Sequence, residues 1–322
     1  MVNEYLSINK PIDQLELFGY DFYFNLFSKL HDNKKLPNSI LLSGSKGLGK
    51  STFVYHFINY LFSKNEDDMY SIQNHSINKN NVSYKLMKLG SHPNFFLIDN
   101  KVSEKDIKIE QIRNLLKFLN KSTFSKLLKI VLIDNVEYLN LSSSNSLLKA
   151  LEEPSNNTFF FIIHNNACKL LNTIKSRCVE FKFFLKNSSK REILSKILSN
   201  YEIDNDLTRL PDNCFFDSHG NLLKYLATLE SKKISINDPL SCINCFMELY
   251  KTSKDLELLS FISTFIDKYY HDLCIKNTDM HSYYLLTHNK ILNHLHNVKK
   301  YNLNEKNVFI TIKNLLNNNE QR

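Results

Sequence analysis

Tryptophan is absent from this chain, and glycine and proline number only six each among 322 residues. No apolar run approaches the ~20 residues that a membrane-spanning helix requires; stretches such as FFFII (159–163) are far shorter. The opening MVNEYLSINKPIDQLELFGYD carries acids where a signal peptide needs a cationic flank and an apolar segment. Secretion and membrane insertion are therefore not expected, and a cytoplasmic location is. Six cysteines (168, 178, 214, 242, 245 and 274) without a secretion signal make no disulfide framework in a chain of this size. Cys242 and Cys245 have metal-ligand spacing, but no second CxxC or histidine pair accompanies them. They sit in LSCINCFMELY, which reads as an apolar helix face, so they are expected to be core thiols and no zinc is expected.

Hydrophobic residues at 43% and charged residues at 23% describe a folded globular protein and exclude disorder. The length allows two or three domains. A net charge of +8 permits nucleic-acid contact without demanding it. Lys299, Lys300, Lys306 and Lys313 read as a solvated helix face rather than a phosphate-binding stripe.

Short, nearly continuous apolar runs recur in the first half: 39–43 (SILLS), 95–99 (FFLID), 129–134 (KIVLID), 159–164 (FFFIIH) and 179–184 (VEFKFF). Continuity rather than alternation marks strands covered on both faces. Helical patterns lie between them, as in STFVYHFINYLFSK, IEQIRNLLKFLNK and SSSNSLLKALEE, so βαβ units and a parallel sheet are expected. After about residue 184 the apolar spacing becomes three and four throughout, which is the helical period. Pro239 marks a boundary in this half, and the Asn-rich tail is expected to fray. The predicted organisation is an α/β domain (1–184), a small helical domain (185–238) and a helical bundle (239–322).

Three of the six glycines fall within six residues, and glycine survives best where no side chain fits. Gly44-Ser45-Lys46-Gly47-Leu48-Gly49-Lys50-Ser51 satisfies GxxxxGK[ST] at every fixed position, with a strand before it and the amphipathic helix STFVYHFINYLFSK after it, and Thr52 joins these residues in the expected nucleotide-binding set. The glycines let successive backbone N–H groups approach phosphates, Lys50 reaches the β- and γ-phosphates, and the Ser51 hydroxyl ligates Mg²⁺. The run KIVLID ends in Asp134, placed to hold that magnesium through water. Many P-loop ATPases carry a glutamate beside this aspartate to polarise the attacking water. Here the neighbour is Asn135, whose amide cannot accept a proton, and Glu137 lies two residues further on. Nucleotide binding is expected; efficient hydrolysis by this chain alone is not.

SNSLLKALEEP (144–154) followed by LLNTIKSRCVEF (170–181) resembles the AAA+ clamp-loader ATPases of bacteria, the delta-prime branch of the DNA polymerase III loaders most closely. GSHPNFFLID (90–99) is similar to the family's His-Pro-Asp segment, with Asn94 in place of the aspartate. The resemblance spans roughly residues 15–185. It implies an AAA+ P-loop NTPase domain, a helical lid and an all-α collar, and it implies ATP with Mg²⁺ as ligands. Arg177 then matches the Ser-Arg-Cys arginine finger, which acts on ATP bound by the neighbouring subunit; a guanidinium forks onto phosphate oxygens and stabilises their charge. The sensor position, at the end of FFFII, falls on His164 or Asn165, with Asn165 the better match. The second-sensor arginine of active loaders is replaced, since Leu223 and Lys224 stand there. The cysteine-rich zinc module of several relatives is missing from 63–90, where His75 is expected to be a solvated loop residue. Implied partners are gamma/tau-like motor and delta-like subunits in a hetero-pentamer, with the sliding clamp and primer–template DNA reached through the complex. The expected role is a stator that supplies Arg177 in trans. Two alternatives stay open: a motor subunit of the same complex using Lys50, Ser51, Asp134 and Glu137, and a P-loop kinase.

Overall fold

The computed structural model describes residues 9–99, 106–120, 128–154, 157–165, 170–185, 187–201, 218–301 and 305–320. The expectations for Cys168, Pro211 and Cys214, and for the side chains of Lys299 and Lys300, lie outside the described residues. Among the described residues, 9–197 with 218–221 form one compact unit, and 198–201 with 222–320 form a second.

The first unit is built on the five apolar runs. Strands β1 (Ser39–Ser43), β2 (Phe95–Ile98), β3 (Lys129–Ile133), β4 (Thr158–His164) and β5 (Val179–Lys182) make one parallel sheet in the order β2-β3-β4-β1-β5. The inner strands β1 and β3 are buried at every position, whereas Leu97 and Val179 on the edge strands are exposed. Alternate residues feed two separate cores, as the two-residue period of a strand requires. Ile40, Leu42, Ile130, Leu132, Phe161 and Ile163 face α1 (Asp21–Asp32), α2 (Lys50–Phe62) and α3 (Val82–Lys88). Leu41, Val131, Ile133, Phe160 and Ile162 face α4 (Ile109–Asn120) and α5 (Leu141–Glu152). The first core is aromatic: Phe27 meets Phe53 and Phe57 edge-on at 5.3 and 5.5 Å, the geometry that ring quadrupoles favour. Helix α2 lies buried along most of its length, so the strand-to-helix turn at its start is held rigidly between β1 and this core.

The segment after α2 is fastened by side chains. Glu66 accepts from the backbone N–H groups of Val82 (2.9 Å) and Ser83, capping α3, while buried Asn81 accepts from Asn59 (2.8 Å) and from Tyr84 N–H (2.7 Å). His75 departs from expectation. Its ring packs on Phe24 at 4.8 Å, and its Nε2 lies 3.0 Å from Asp21 Oδ1, so the side chain is largely enclosed rather than solvated. The reason is tertiary: a positive φ of 46° turns it inward onto α1, where an aromatic face and a carboxylate meet it.

A four-residue helix α6 (Asn172–Lys175) precedes β5, and α7 (Asn187–Asn200) and α8 (His219–Ser231) follow it. The second unit holds α9 (Pro239–Ser253), α10 (Leu256–Lys276), α11 (His281–Tyr301) and α12 (Glu305–Glu320). Asp238 caps α9 by accepting from Ser241 N–H at 3.2 Å, with Pro239 at the first helical position. Helix α10 packs between α9 and α11, and α12 closes against α11 and α9. Tyr225 of α8 meets Phe261 edge-on at 4.3 Å in this core. Cys242 and Cys245 are buried on α9, and the Cys242 thiol donates to Ser235 O at 3.4 Å. Among the described residues no helix is long and apolar enough to cross a membrane.

Candidate nucleotide-binding site

The chain leaves β1 through Gly44 and re-enters helix at Lys50, with Gly47 and Gly49 both left-handed at φ 81° and 83°. Only glycine adopts that conformation freely, which is why the turn needs them. Three neighbours shape the loop. The buried Tyr20 hydroxyl donates to Leu48 O, Gly44 N–H donates to His164 O at 3.3 Å, and Gly220 N–H donates to Gly47 O at 2.9 Å. A Cβ on Gly220 would stand 2.8 Å from Gly47 O, so a second glycine is required where α8 begins. Tyr20 and Gly220 were not singled out from the sequence, although the scarcity of glycine already marked position 220.

Lys50 is buried, and its ammonium donates to Gly44 O (2.9 Å) and Ser45 O (2.7 Å). Burial lowers its pKa to about 8, against the pull of the Asp134 and Glu137 charges. Ser45 and Lys46 are exposed at the loop tip; Ser51 and Thr52 lie partly buried in the first turn of α2. The helix N-terminus there points its N–H groups and positive partial charge at the loop, an arrangement suited to phosphate.

The Ser51 hydroxyl donates to Asp134 Oδ2 at 2.7 Å, so the magnesium-binding pair expected from sequence is brought together. Burial raises the Asp134 carboxyl to about 6; the Ser51 hydrogen bond works against this and the Asp99 charge adds to it. Ser51 and Asp134 are the residues present that fit Mg²⁺: a hydroxyl and a carboxylate, hard oxygen donors, beside a phosphate cradle. Among the described residues no group of three or more His, Cys, Asp or Glu side chains converges as a metal cluster. That is compatible with an ion held chiefly by phosphate and water.

Beside this pair the ends of β2, β3 and β4 are tied together. Asn135, left-handed at φ 58°, donates from Nδ2 to Asp99 Oδ1 (2.9 Å) and accepts at Oδ1 from Asn165 Nδ2 (2.7 Å). Glu137 Oε2 accepts Asn165 N–H at 3.3 Å. Asn165 thus stands beside Asn135, while Glu137 serves the backbone at the end of β4. Sequence gave no direction for Glu137, and neither Asp99 nor the bridging role of Asn135 was foreseen.

Arg177 lies on the turn between α6 and β5, away from the loop residues in sequence. Its Nε donates to Glu152 Oε1 at 2.8 Å, Nη2 donates to the same oxygen, and Nη1 donates to Thr173 O at 2.9 Å. The LEEP and Ser-Arg-Cys segments therefore meet in space. Leu223 and Lys224 lie on α8 in the second unit.

A five-stranded parallel sheet with a phosphate loop after β1, and an acidic strand end two strands away, defines a P-loop nucleotide-binding domain of the AAA+ type. The chain belongs to the family described as DNA polymerase III, delta subunit, whose model matches residues 20–187. It is 30% identical to DNA polymerase III subunit delta' of Pseudomonas aeruginosa over 161 residues, 50% of this chain and 47% of that one. It is 28% identical to the delta' subunit of Buchnera aphidicola from Schizaphis graminum over 229 residues, 66% of this chain and 67% of that one. The chain spans about half the length of the first of these relatives. A solved gamma-subunit-related protein of DNA polymerase III from Thermotoga maritima superposes with a TM-score of 0.50 at 18% identity, covering 91% of this chain and 97% of that one, a likeness of fold alone.

Proposed function

We propose that the chain is a delta-prime-like stator of a bacterial clamp loader. It binds ATP with Mg²⁺ at residues 44–52 and Asp134, and it supplies Arg177 to ATP held by a neighbouring gamma/tau-like motor subunit. In this reading residues 1–184 form the AAA+ domain, 185–238 a lid and 239–322 a collar through which the chain joins motor and delta-like subunits in a hetero-pentamer. The assembly loads a sliding clamp onto primer–template DNA in the cytoplasm, and the chain itself carries no polymerase chemistry. One observation carries the stator assignment. The position of the water-activating glutamate is Asn135, engaged between Asp99 and Asn165, and Glu137, two residues on, accepts the Asn165 N–H through one oxygen. A general base must reach the proton it abstracts, and an amide accepts none.

Lys50, Ser51 and Asp134 remain suited to binding, with bound nucleotide bracing the loop. The test is ATP binding and turnover by the purified chain. Binding that Lys50→Ala abolishes, without turnover, supports the stator. Turnover that Lys50→Ala abolishes makes the chain a motor.

A further inference from the structure

We infer that Glu152, in the LEEP segment at the end of α5, is a positioning residue for Arg177. The inference rests on the trans-finger reading above and adds to it the group that aims the finger. An arginine side chain has about 2 kcal/mol of rotamer entropy to lose before it holds one geometry. Here it is restrained from two sides. Glu152 Oε1 takes the Nε and Nη2 donors of one edge of the guanidinium, and Thr173 O takes Nη1 from below. The edge that Glu152 engages is the Nε–Nη2 side, and Nη1 is held by Thr173 O with Ser176 Oγ at 3.5 Å, so the guanidinium plane is fixed and the second Nη2 hydrogen is left for a phosphoryl oxygen.

The platform under this arrangement is firm. Ile174 is buried in the core shared with α5, Cys178 packs partly into that same core, and the Ser176 hydroxyl donates to Thr173 O at 3.2 Å. The pair itself stands at the surface, with the side chains 32% exposed for Arg177 and 48% for Glu152. An exposed pair of this kind contributes little to stability, so removing Glu152 changes the aim of Arg177 without unfolding the domain. Glu152 also comes from the helix that lines the second core, so the pair ties that helix to the turn before β5.

The experiment uses the full chain reconstituted with motor and delta-like subunits, sliding clamp and primed DNA, reading DNA-stimulated ATP turnover. Glu152→Ala is expected to lower kcat about tenfold, the scale of a misaimed catalytic group, with KM unchanged. Glu152→Gln, which keeps one acceptor oxygen, recovers a large part of the loss. In an Arg177→Ala background, Glu152→Ala has no further effect, because its influence passes through the arginine. Unfolding of the isolated chain shifts little in either Glu152 variant. If Arg177→Ala cripples turnover while Glu152→Ala leaves it unchanged, the positioning inference fails and the finger stands. If Glu152→Ala raises kcat, the carboxylate restrains the finger instead of aiming it, and the inference is overturned. If Arg177→Ala leaves turnover intact, the finger reading falls and this inference with it.

Discussion

Replacing Lys50 with methionine separates what this residue does for the fold from what it does for a ligand. The ammonium is buried under its own loop, and its pKa falls from a lysine's ordinary 10.5 to about 8 because burial disfavours the charge. Holding it protonated at pH 7 therefore costs the nucleotide-free fold about 3 kcal/mol. Methionine keeps the length and removes the charge, while Gly44 O and Ser45 O lose their donor. Ser45 is exposed and its carbonyl turns to water, but Gly44 is buried and its carbonyl is left short of a donor, an offset of about 1–2 kcal/mol. The expected result is a Lys50→Met protein about 1–2 kcal/mol more stable than wild type without nucleotide, with Tm raised by about 3 °C, and unable to bind ATP. The pH profile gives the sign independently. Between about pH 8 and 10.5 the unfolded chain holds a proton that the folded chain has released. Lys50 therefore adds stability across that window, read as wild type minus Lys50→Met, because the buried Tyr20, Tyr55 and Tyr70 and the partly buried Cys178, all pushed up by burial, lower the stability of both proteins over the same range. Urea denaturation with and without ATP measures both. A Lys50→Met protein no more stable than wild type without nucleotide would refute the claim that the loop stores a buried charge for phosphate to satisfy.

Other perturbations address the parts that surround this lysine. Gly220→Ala pushes a methyl group to 2.8 Å from Gly47 O; a stability loss of about 1–3 kcal/mol and weaker ATP binding by calorimetry are expected. Asn135→Ala removes one partner each from Asp99 and Asn165 and costs about 1–3 kcal/mol in urea denaturation, with no gain of ATP turnover. The Asp134 carboxyl, raised to about 6, binds a proton in the folded state over a range where the unfolded chain has released it. Asp134 thus subtracts stability as pH rises from about 4 to 6, read as wild type minus Asp134→Asn, because the buried His56 and the partly buried His92, lowered to about 4, add stability to both proteins over the same range. Magnesium-dependent nucleotide affinity should rise over the same climb, and Asp134→Asn should flatten that rise.

The sheet was legible because its strands are covered on both faces, so β1 and β3 read as unbroken apolar runs. The phosphate loop was legible because its glycines, lysine and serine are contiguous and the chemistry fixes their spacing. Asp134 could be placed from its strand, since a residue ending β3 emerges at the same sheet edge as the loop after β1. Helix α1 was harder to see. Its burial rests on aromatic packing of Phe24 and Phe27 against α2, which a short, polar-flanked stretch does not announce. His75 was misread because a loop residue is ordinarily solvated, and only tertiary packing against Phe24 and Asp21 encloses it. The Asp99–Asn135–Asn165 bridge and the Glu152–Arg177 pair depend on strand order and on which helix ends lie together. Residues 25 to 36 apart in sequence carry no local pattern that would pair them.

In the proposed stator role this chain acts on a neighbour's ATP. The most direct measurement is DNA-stimulated ATP turnover by the reconstituted complex, comparing wild type with Arg177→Ala and Lys50→Ala in this chain alone. Arg177→Ala is expected to lower turnover at the one ATP site it completes by about a thousandfold or more, the scale of an arginine finger, and to reduce the complex's total turnover accordingly, while Lys50→Ala leaves most of it in place. Turnover lost with Lys50→Ala and retained with Arg177→Ala would contradict that role.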